Sequence, residues 1–396
     1  MKIKSIKQLK NLKGKKVLLR VDFNVPLTKT GQVGKSEDYR IVQTLTTINY
    51  LIKKGAKVII LAHLGRPDGK INSKYSLKPV TKRLSQLLKK LVKLSPEIIG
   101  KKTDALIKKL ANGEILMLEN IRFDKSEESP SSQLRQKLAK QLAGLGDIYI
   151  NDAFAACHRD QASVSTIQKF LPSYAGLLLE QEIINLTKAL KKPKKPLIII
   201  IGGVKVSTKI GLIKNFLPLA DKIILGGALA NTVLSAKGLM VGKSKVEPAM
   251  FKAVKNIELT DNILALPVDG VFAPSYQSLK GRIDALADIN KSEVILDIGP
   301  ETVKLYEKIL KSAKMVIWNG PMGLIETPFF AKGTKALIKI LAKSEAETIV
   351  GGGETVQLIR QMKLQNKFSF ISTGGGAMLE FLEGKKLPGL IKLIKN

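Results

Sequence analysis

Apolar runs of strand length that alternate with helical patterns constrain this chain more than any other feature. About eleven such runs occur, each ending in glycine, proline or polar residues. VLLRVDFNV, KVIILAHL, EILMLENI and DIYINDAF fill the first half. LIIIIGG, KIILGGAL, NILALPVDGVFA, EVILDIG, MVIWNGP, ETIVGGG and FSFISTGGG follow Lys195. A strand that is apolar at consecutive positions is buried on both faces, and alternation with helices makes the sheet parallel. The expected fold class is α/β, with doubly wound parallel sheets that bind ligands at the carboxyl ends of their strands. At 396 residues the chain exceeds one ordinary core, which predicts two domains. The stretch SYAGLLLEQEIINLTKALKKPKKP has helical spacing up to Leu190 and ends at Pro193 and Pro196, so it is expected to bridge them.

Between Thr348 and Leu382 a buried run breaks into glycines and then into a helix start, twice. One glycine turn between strand and helix is ordinary chain reversal. Two in tandem, with Glu354-Thr355 and Ser372-Thr373 beside them, point to function. Backbone N–H groups at such a junction approach an anion closely, and the first turn of a helix adds unpaired donors.

The net charge of +33 raises the question of nucleic acid or an anionic membrane. Only nine of the 66 basic residues are Arg, the lysines are scattered over surface-type helical patterns, and aromatics make up 5%. Stacking platforms are therefore missing, and the lysine reads as solvated surface with no specific nucleic-acid partner. The longest apolar run, Leu197 to Ile201, falls far short of the roughly 20 residues of a membrane span. The basic N-terminus lacks the apolar segment of a secretory signal, and a single cysteine, Cys157, forms no internal disulfide. These features predict a cytoplasmic enzyme or binding protein.

The arginines carry more information. Arg20, Arg40, Arg66, Arg122 and Arg159 lie beside strand-end or turn signals in a chain that otherwise uses Lys. A planar, bidentate donor is favoured over Lys by phosphate and carboxylate. The strand ends Asp22-Phe-Asn24, His63-Leu-Gly-Arg66, Glu119-Asn-Ile-Arg122 and Asn151-Asp-Ala-Phe-Ala-Ala-Cys-His158-Arg159 would together form a basic cup for a small polyanion. Asp22 and Asn24 would supply acceptors for a hydroxyl. In the second half, LIIIIGGVKVSTKIGLI meets Gly202-Gly203, and Lys205 and Lys209 are spaced to share one face of a helix start. Glu326 follows a Gly/Pro turn and suits a ribose hydroxyl or the solvent. Neither the P-loop spacing nor a Gly-x-Gly-x-x-Gly fingerprint occurs, which argues against a dinucleotide dehydrogenase.

RVDFNVP, HLGRP, LENIRF, NDAF…HR, GGVKVSTK, WNGPMGLIE, GGGET and STGGGAMLEFLEGKKLPG, in this order and spacing over essentially the whole chain, resemble phosphoglycerate kinase. The resemblance implies an N-terminal 3-phosphoglycerate-binding domain (residues 1–172), an interdomain helix (173–192), a C-terminal nucleotide-binding domain (193–378) and a final segment (379–396) returning to the first domain. It implies a monomeric, hinge-bending transferase that moves a phosphoryl group between ATP and 3-phosphoglycerate, giving ADP and 1,3-bisphosphoglycerate, with Mg²⁺.

Carried over by motif, Asp22, Phe23, Asn24, Arg40, His63, Leu64, Gly65, Arg66, Arg122 and Arg159 would bind the phosphoglycerate. Lys205, Lys209, Glu326, Gly352, Gly353, Glu354 and Thr355 would bind the nucleotide, with Glu354 beside the metal. Arg40, Lys209 and the N–H groups of Gly374, Gly375 and Gly376 would stabilise the transferring group. The chain departs from the family's usual form at Ala155-Ala156 and Cys157, at Val204 and Thr208, and at Glu354, where an Asp is usual.

Overall fold

A computed structural model describes residues 2–256 and 263–395. The chain divides into two compact units, 1–184 with 386–396, and 185–385. The division falls within the helix Leu177–Lys191. The first unit contains β1 (Lys2–Ile3), β2 (Lys16–Arg20), β3 (Lys57–Leu61), β4 (Val92–Leu94), β5 (Ile115–Met117), β6 (Ile148–Asn151) and β7 (Ser173–Ala175). The second contains β8 (Leu197–Ile201), β9 (Lys222–Leu225), β10 (Leu264–Ala265), β11 (Asp269–Ala273), β12 (Arg282–Ala285), β13 (Val294–Ile298), β14 (Met315–Asn319), β15 (Glu347–Gly351) and β16 (Phe370–Ile371). The closing strand β17 (Ile394–Lys395) pairs antiparallel with β1 in the first unit, Ile3 opposite Ile394.

The first unit's main sheet is parallel, in the order β4-β5-β3-β2-β6-β7. Its strands are apolar at successive positions because both faces are covered. Val17, Leu19, Val58 and Ile60 point to one face, where Ile41, Ile48 and Leu51 of the helix Tyr39–Lys53 and Val80 and Leu84 of Lys78–Leu88 cover them. Leu18, Ile59, Leu116 and Tyr149 point to the other, under Ile107 and Leu138, Ala139 and Leu142. Each fully buried aliphatic side chain contributes roughly 1.5–3 kcal/mol. The strand order reverses between β2 and β6, so the crevice at their carboxyl ends is where Asp22, Asn24 and Asn151 emerge.

The second unit's parallel sheet runs β10-β9-β8-β14-β15-β16, and its order reverses between β8 and β14, with Ile201 opposite Asn319. Gly202-Gly203 and Gly320-Pro321 therefore leave the sheet side by side.

Two expectations change here. The run NILALPVDGVFA, whose Asn262 lies outside the described residues, divides at Pro267 into parallel β10 and antiparallel β11, because proline lacks the N–H a ladder requires. With β12 and β13, β11 forms a separate antiparallel sheet in the order β12-β11-β13. The stretch from Ser173 is not helical from its start. Ser173–Ala175 pairs with β6 as an edge strand, and the helix begins at Leu177, after Gly176.

Candidate active site

In the first unit the expected cationic strand ends converge. Arg40 Nη1 lies 2.8 Å from Asp22 Oδ2 and donates to the Asn24 carbonyl at 3.1 Å. Asn24 Oδ1 accepts the Gly65 N–H at 2.9 Å, and the Gly65 carbonyl accepts Arg122 Nη1 at 2.8 Å. Gly65 is a required glycine. Its φ is +62°, and a Cβ would stand 2.4 Å from the Tyr75 ring. Asp22 and Asn24, expected as acceptors for a ligand hydroxyl, thus have side-chain oxygens engaged in building the cup.

His63 sits at the end of β3, buried among cations. Burial, then the charges of Arg20, Arg122, Arg159 and Arg40, lowers its pKa well below the usual imidazole value, so it is neutral. Arg66 is exposed. The side chains of Phe23 and Leu64 are buried in the core, and the Leu64 N–H donates to Asn120 Oδ1 at 3.3 Å. The reason for that burial is alternation: beyond the strand ends, successive side chains still face opposite sides.

Several structural partners were not singled out from sequence. Glu128 accepts from Arg122 Nη2 at 2.6 Å, Arg159 Nη1 at 3.3 Å and Gln161 Nε2 at 2.7 Å, so one carboxylate holds two arginines of the cup. Asn120 is completely buried and donates to the carbonyls of Leu64 and Tyr75 at 2.8 and 2.9 Å, fixing the turn that carries Gly65. Arg20, counted from sequence with the ligand-type arginines, is completely buried and bonded within the scaffold. An acidic pair, Glu127-Glu128, in so basic a chain was the signal available.

In the second unit, Lys205 and Lys209 do not share a helix face. The helix begins at Ile210, so both lie in the preceding turn, Lys205 exposed and Lys209 buried. Lys209 Nζ donates to the Gly202 carbonyl. It is wedged between two glycine turns, for a Cβ on Gly203 or Gly320 would lie 2.6 or 2.8 Å from it. Burial pulls its pKa down to about 8, against a smaller opposing effect of the Glu354 carboxylate.

Gly352, at φ +94°, caps the helix Gly353–Gln361, whose first turn presents exposed Glu354 and buried Thr355. Among the described residues, Thr355 Oγ1 and Asn319 Nδ2 are buried without a hydrogen-bond partner. A pocket beside them is lined by Gly203, Asn231, Tyr276, Met322, Glu326 and Glu354. At the second glycine turn, the Gly374 N–H is already donated to Ser372 Oγ at 3.0 Å. Gly375, at φ +49°, and Gly376 begin the helix Gly376–Leu382. The expected triple N–H cap is therefore reduced to its last two donors in this state.

The sequence model of the phosphoglycerate kinase family matches residues 6–385. The chain belongs to the phosphoglycerate kinase family. The phosphoglycerate kinase of Coprothermobacter proteolyticus is 43% identical, over 100% of this chain and 99% of its own. That of Herpetosiphon aurantiacus is 46% identical over 96% of both chains. Among solved structures, the phosphoglycerate kinase of Pyrococcus horikoshii superposes with a TM-score of 0.89 at 33% identity, covering 99% of this chain and 98% of that one. The Coxiella burnetii phosphoglycerate kinase gives 0.83 at 38% identity over the same shares. Family membership makes the chain a phosphotransferase with a carboxyl group as acceptor. Among the described residues no helix is long and apolar enough to cross a membrane.

Proposed function

We propose that the protein transfers a phosphoryl group reversibly between ATP and the carboxylate of 3-phosphoglycerate, and that the strand-end clusters of the two units are the substrate sites. The single observation that carries the assignment is the basic cup of Arg40, His63, Arg122 and Arg159, which in a family of carboxyl phosphotransferases suits a small acid bearing both phosphate and carboxylate. Asp22 and Glu128 orient the guanidinium groups. Phe23, Asn24, Leu64 and Gly65 shape the wall of the cup, and Arg66 meets the ligand from the rim.

The nucleotide belongs to the second unit. Lys209 and Lys205 face its phosphates, Glu326 its ribose, and Gly352, Gly353, Glu354 and Thr355 cradle it at the helix start. Two orphaned polar atoms, Thr355 Oγ1 and Asn319 Nδ2, support a polar ligand there. Among the described residues no group of three potential metal-binding side chains occurs, and one exposed carboxylate, Glu354, lies in the first turn. That donor set fits Mg²⁺, which keeps several waters and takes the rest of its oxygens from one or two carboxylates and the substrate phosphates. When bound, the metal supplies charge neutralisation to the phosphates.

The acceptor carboxylate is already ionised, so no general base is needed. One of its oxygens forms the new bond to the γ-phosphorus as the bond to the ADP oxygen breaks, with no net proton transfer. Positioning and charge neutralisation do most of the work. Arg40 and Lys209 bracket the negative charge of the moving group, with Gly375 and Gly376 as backbone donors. Once its N–H is released from Ser372, Gly374 adds a third. The proposal includes a monomeric cytoplasmic enzyme whose units close over the substrates and exclude water, which would hydrolyse the acyl phosphate.

A coupled assay of ADP formation with and without 3-phosphoglycerate tests this. Turnover is expected only with the acid present. Folded protein with Mg²⁺ that is inactive in both directions, or that prefers another small acid, overturns the assignment.

A further inference from the structure

One arginine beside the cup is not used by the proposed reaction. Arg20 ends β2 and is completely buried. Its Nε donates to Ser163 Oγ at 2.9 Å, one Nη donates to the Val21 carbonyl, and Nη2 lies 3.3 Å from His63 Nδ1. Ser163 in turn donates from Oγ to Glu127 Oε1 at 2.6 Å and from its backbone N–H to Oε2 at 2.9 Å. Glu127 is also completely buried. A continuous chain thus runs from Glu127 through Ser163 and Arg20 to the imidazole.

The direction of that chain is set by chemistry. A guanidinium carries N–H donors and no acceptor, and it does not deprotonate in proteins. Its contact with an imidazole nitrogen is a hydrogen bond only when that nitrogen holds a lone pair. Nδ1 of His63 is therefore the acceptor, and in a neutral ring the proton resides on Nε2. We propose that Glu127, Ser163 and Arg20 are positioning residues that hold His63 as the neutral, Nε2-protonated tautomer, so that it offers the acidic substrate a hydrogen-bond donor and not a positive charge. The substrate part of this inference rests on the function proposed above.

Each link has a physical reason. A buried guanidinium requires a nearby counter-charge, which Glu127 supplies through the serine hydroxyl. Bonds from Nε and from one Nη fix the guanidinium plane, so Nη2 has one direction left. The charged groups around His63 are Arg20 on β2, Arg40 on the helix Tyr39–Lys53, Arg122 after β5 and Arg159 after β6. Their acidic partners are Glu127 through Ser163, Asp22 on Arg40, and Glu128 on Arg122 and Arg159. Burial pushes the Glu127 carboxyl up to about 7, opposed first by Arg20. A protonated His63 would turn an Nδ1–H towards Arg20 Nη2, donor against donor, and break the chain.

The chain has two histidines, His63 and His158, which makes the test direct. In unliganded protein labelled with ¹⁵N-histidine, the His63→Gln and His158→Gln variants assign the two rings by loss of signal. At about pH 8, where the Glu127 carboxyl is ionised, His63 is expected to keep a lone-pair Nδ1 and a protonated Nε2. Ser163→Ala should admit the other tautomer and raise KM for 3-phosphoglycerate roughly tenfold, the order of one hydrogen bond, with KM for ATP unchanged. Ser163→Thr, which retains the hydroxyl, should restore both.

A proton on Nδ1 of wild-type His63, an imidazolium at neutral pH, or an unchanged tautomer in folded Ser163→Ala overturns the proposal. The tautomer is read on unliganded wild type, so the result stands even if a variant fails to fold. Wild-type protein without activity on 3-phosphoglycerate would speak against the assigned reaction and leave the tautomer result intact.

Discussion

Lys209 is the group whose chemistry the fold alters most usefully. Burial holds its pKa at about 8, against an ordinary 10.5, and its ammonium donates to a backbone carbonyl between two glycine turns. At pH 8 about half of unliganded molecules carry it neutral, at pH 7 about one tenth, and at pH 9 about nine tenths. Phosphate oxygens beside Nζ would restore the cation.

Binding of ADP should therefore take up about half a proton at pH 8, rising towards roughly 0.9 at pH 9. The nucleotide's own terminal phosphate, ionising near pH 6, contributes little in that window. Calorimetric titrations in buffers of different ionisation enthalpy measure the uptake, and Lys209→Arg, charged throughout, should abolish it.

The same shift sets the stability of the free unit. The folded pKa is lowered, so between about pH 8 and 10.5 the unfolded chain binds more protons and stability rises with pH, by about 3 kcal/mol in total. Denaturant unfolding followed by the single Trp318, completely buried in β14 of the same unit, should show that rise. In Lys209→Met it should be absent. Equal proton uptake by wild type and Lys209→Arg between pH 8 and 9 would refute the reasoning.

Two further outcomes follow from the site. Arg40→Lys keeps the charge but loses the fork whose Nη1 reaches both Asp22 and Asn24, so kcat should fall on the order of 10² with less change in KM. Steady-state kinetics decide this, and an effect confined to KM would reduce Arg40 to a substrate-holding role. Glu354→Asp should keep activity with an equal or lower Mg²⁺ requirement, whereas Glu354→Gln should raise the Mg²⁺ concentration for half-maximal rate. If Glu354 merely favours the helix N-terminus, by about 0.3–1 kcal/mol, thermal stability falls and the Mg²⁺ titration does not move.

The amino-acid sequence alone determined the class of fold, because burial on both faces of a strand requires consecutive apolar residues and a covering helix on each side. LIIII and MVIWN are legible in that way without coordinates. It also determined which residues stand at strand ends, since the apolar run must stop where the chain leaves the core, and so His63 and Arg122 were within reach. The antiparallel sheet of β11, β12 and β13 was not, because β12 is mostly exposed and carries no apolar run.

Nor does spacing along the chain say what faces a charge. Lys205 and Lys209 look equivalent in sequence, yet the turn before Ile210 buries one and exposes the other, and with burial comes the lowered pKa. Arg20 and Arg40 look alike too. Glu127 and Ser163, about a hundred and more residues further along, make the first a buried anchor for His63, while Asp22 leaves the second part-exposed at the cup. Covalent order dictates local pattern and burial. The pairing of distant charges, and with it the protonation state of each group, arises only when the sheet brings strand ends together.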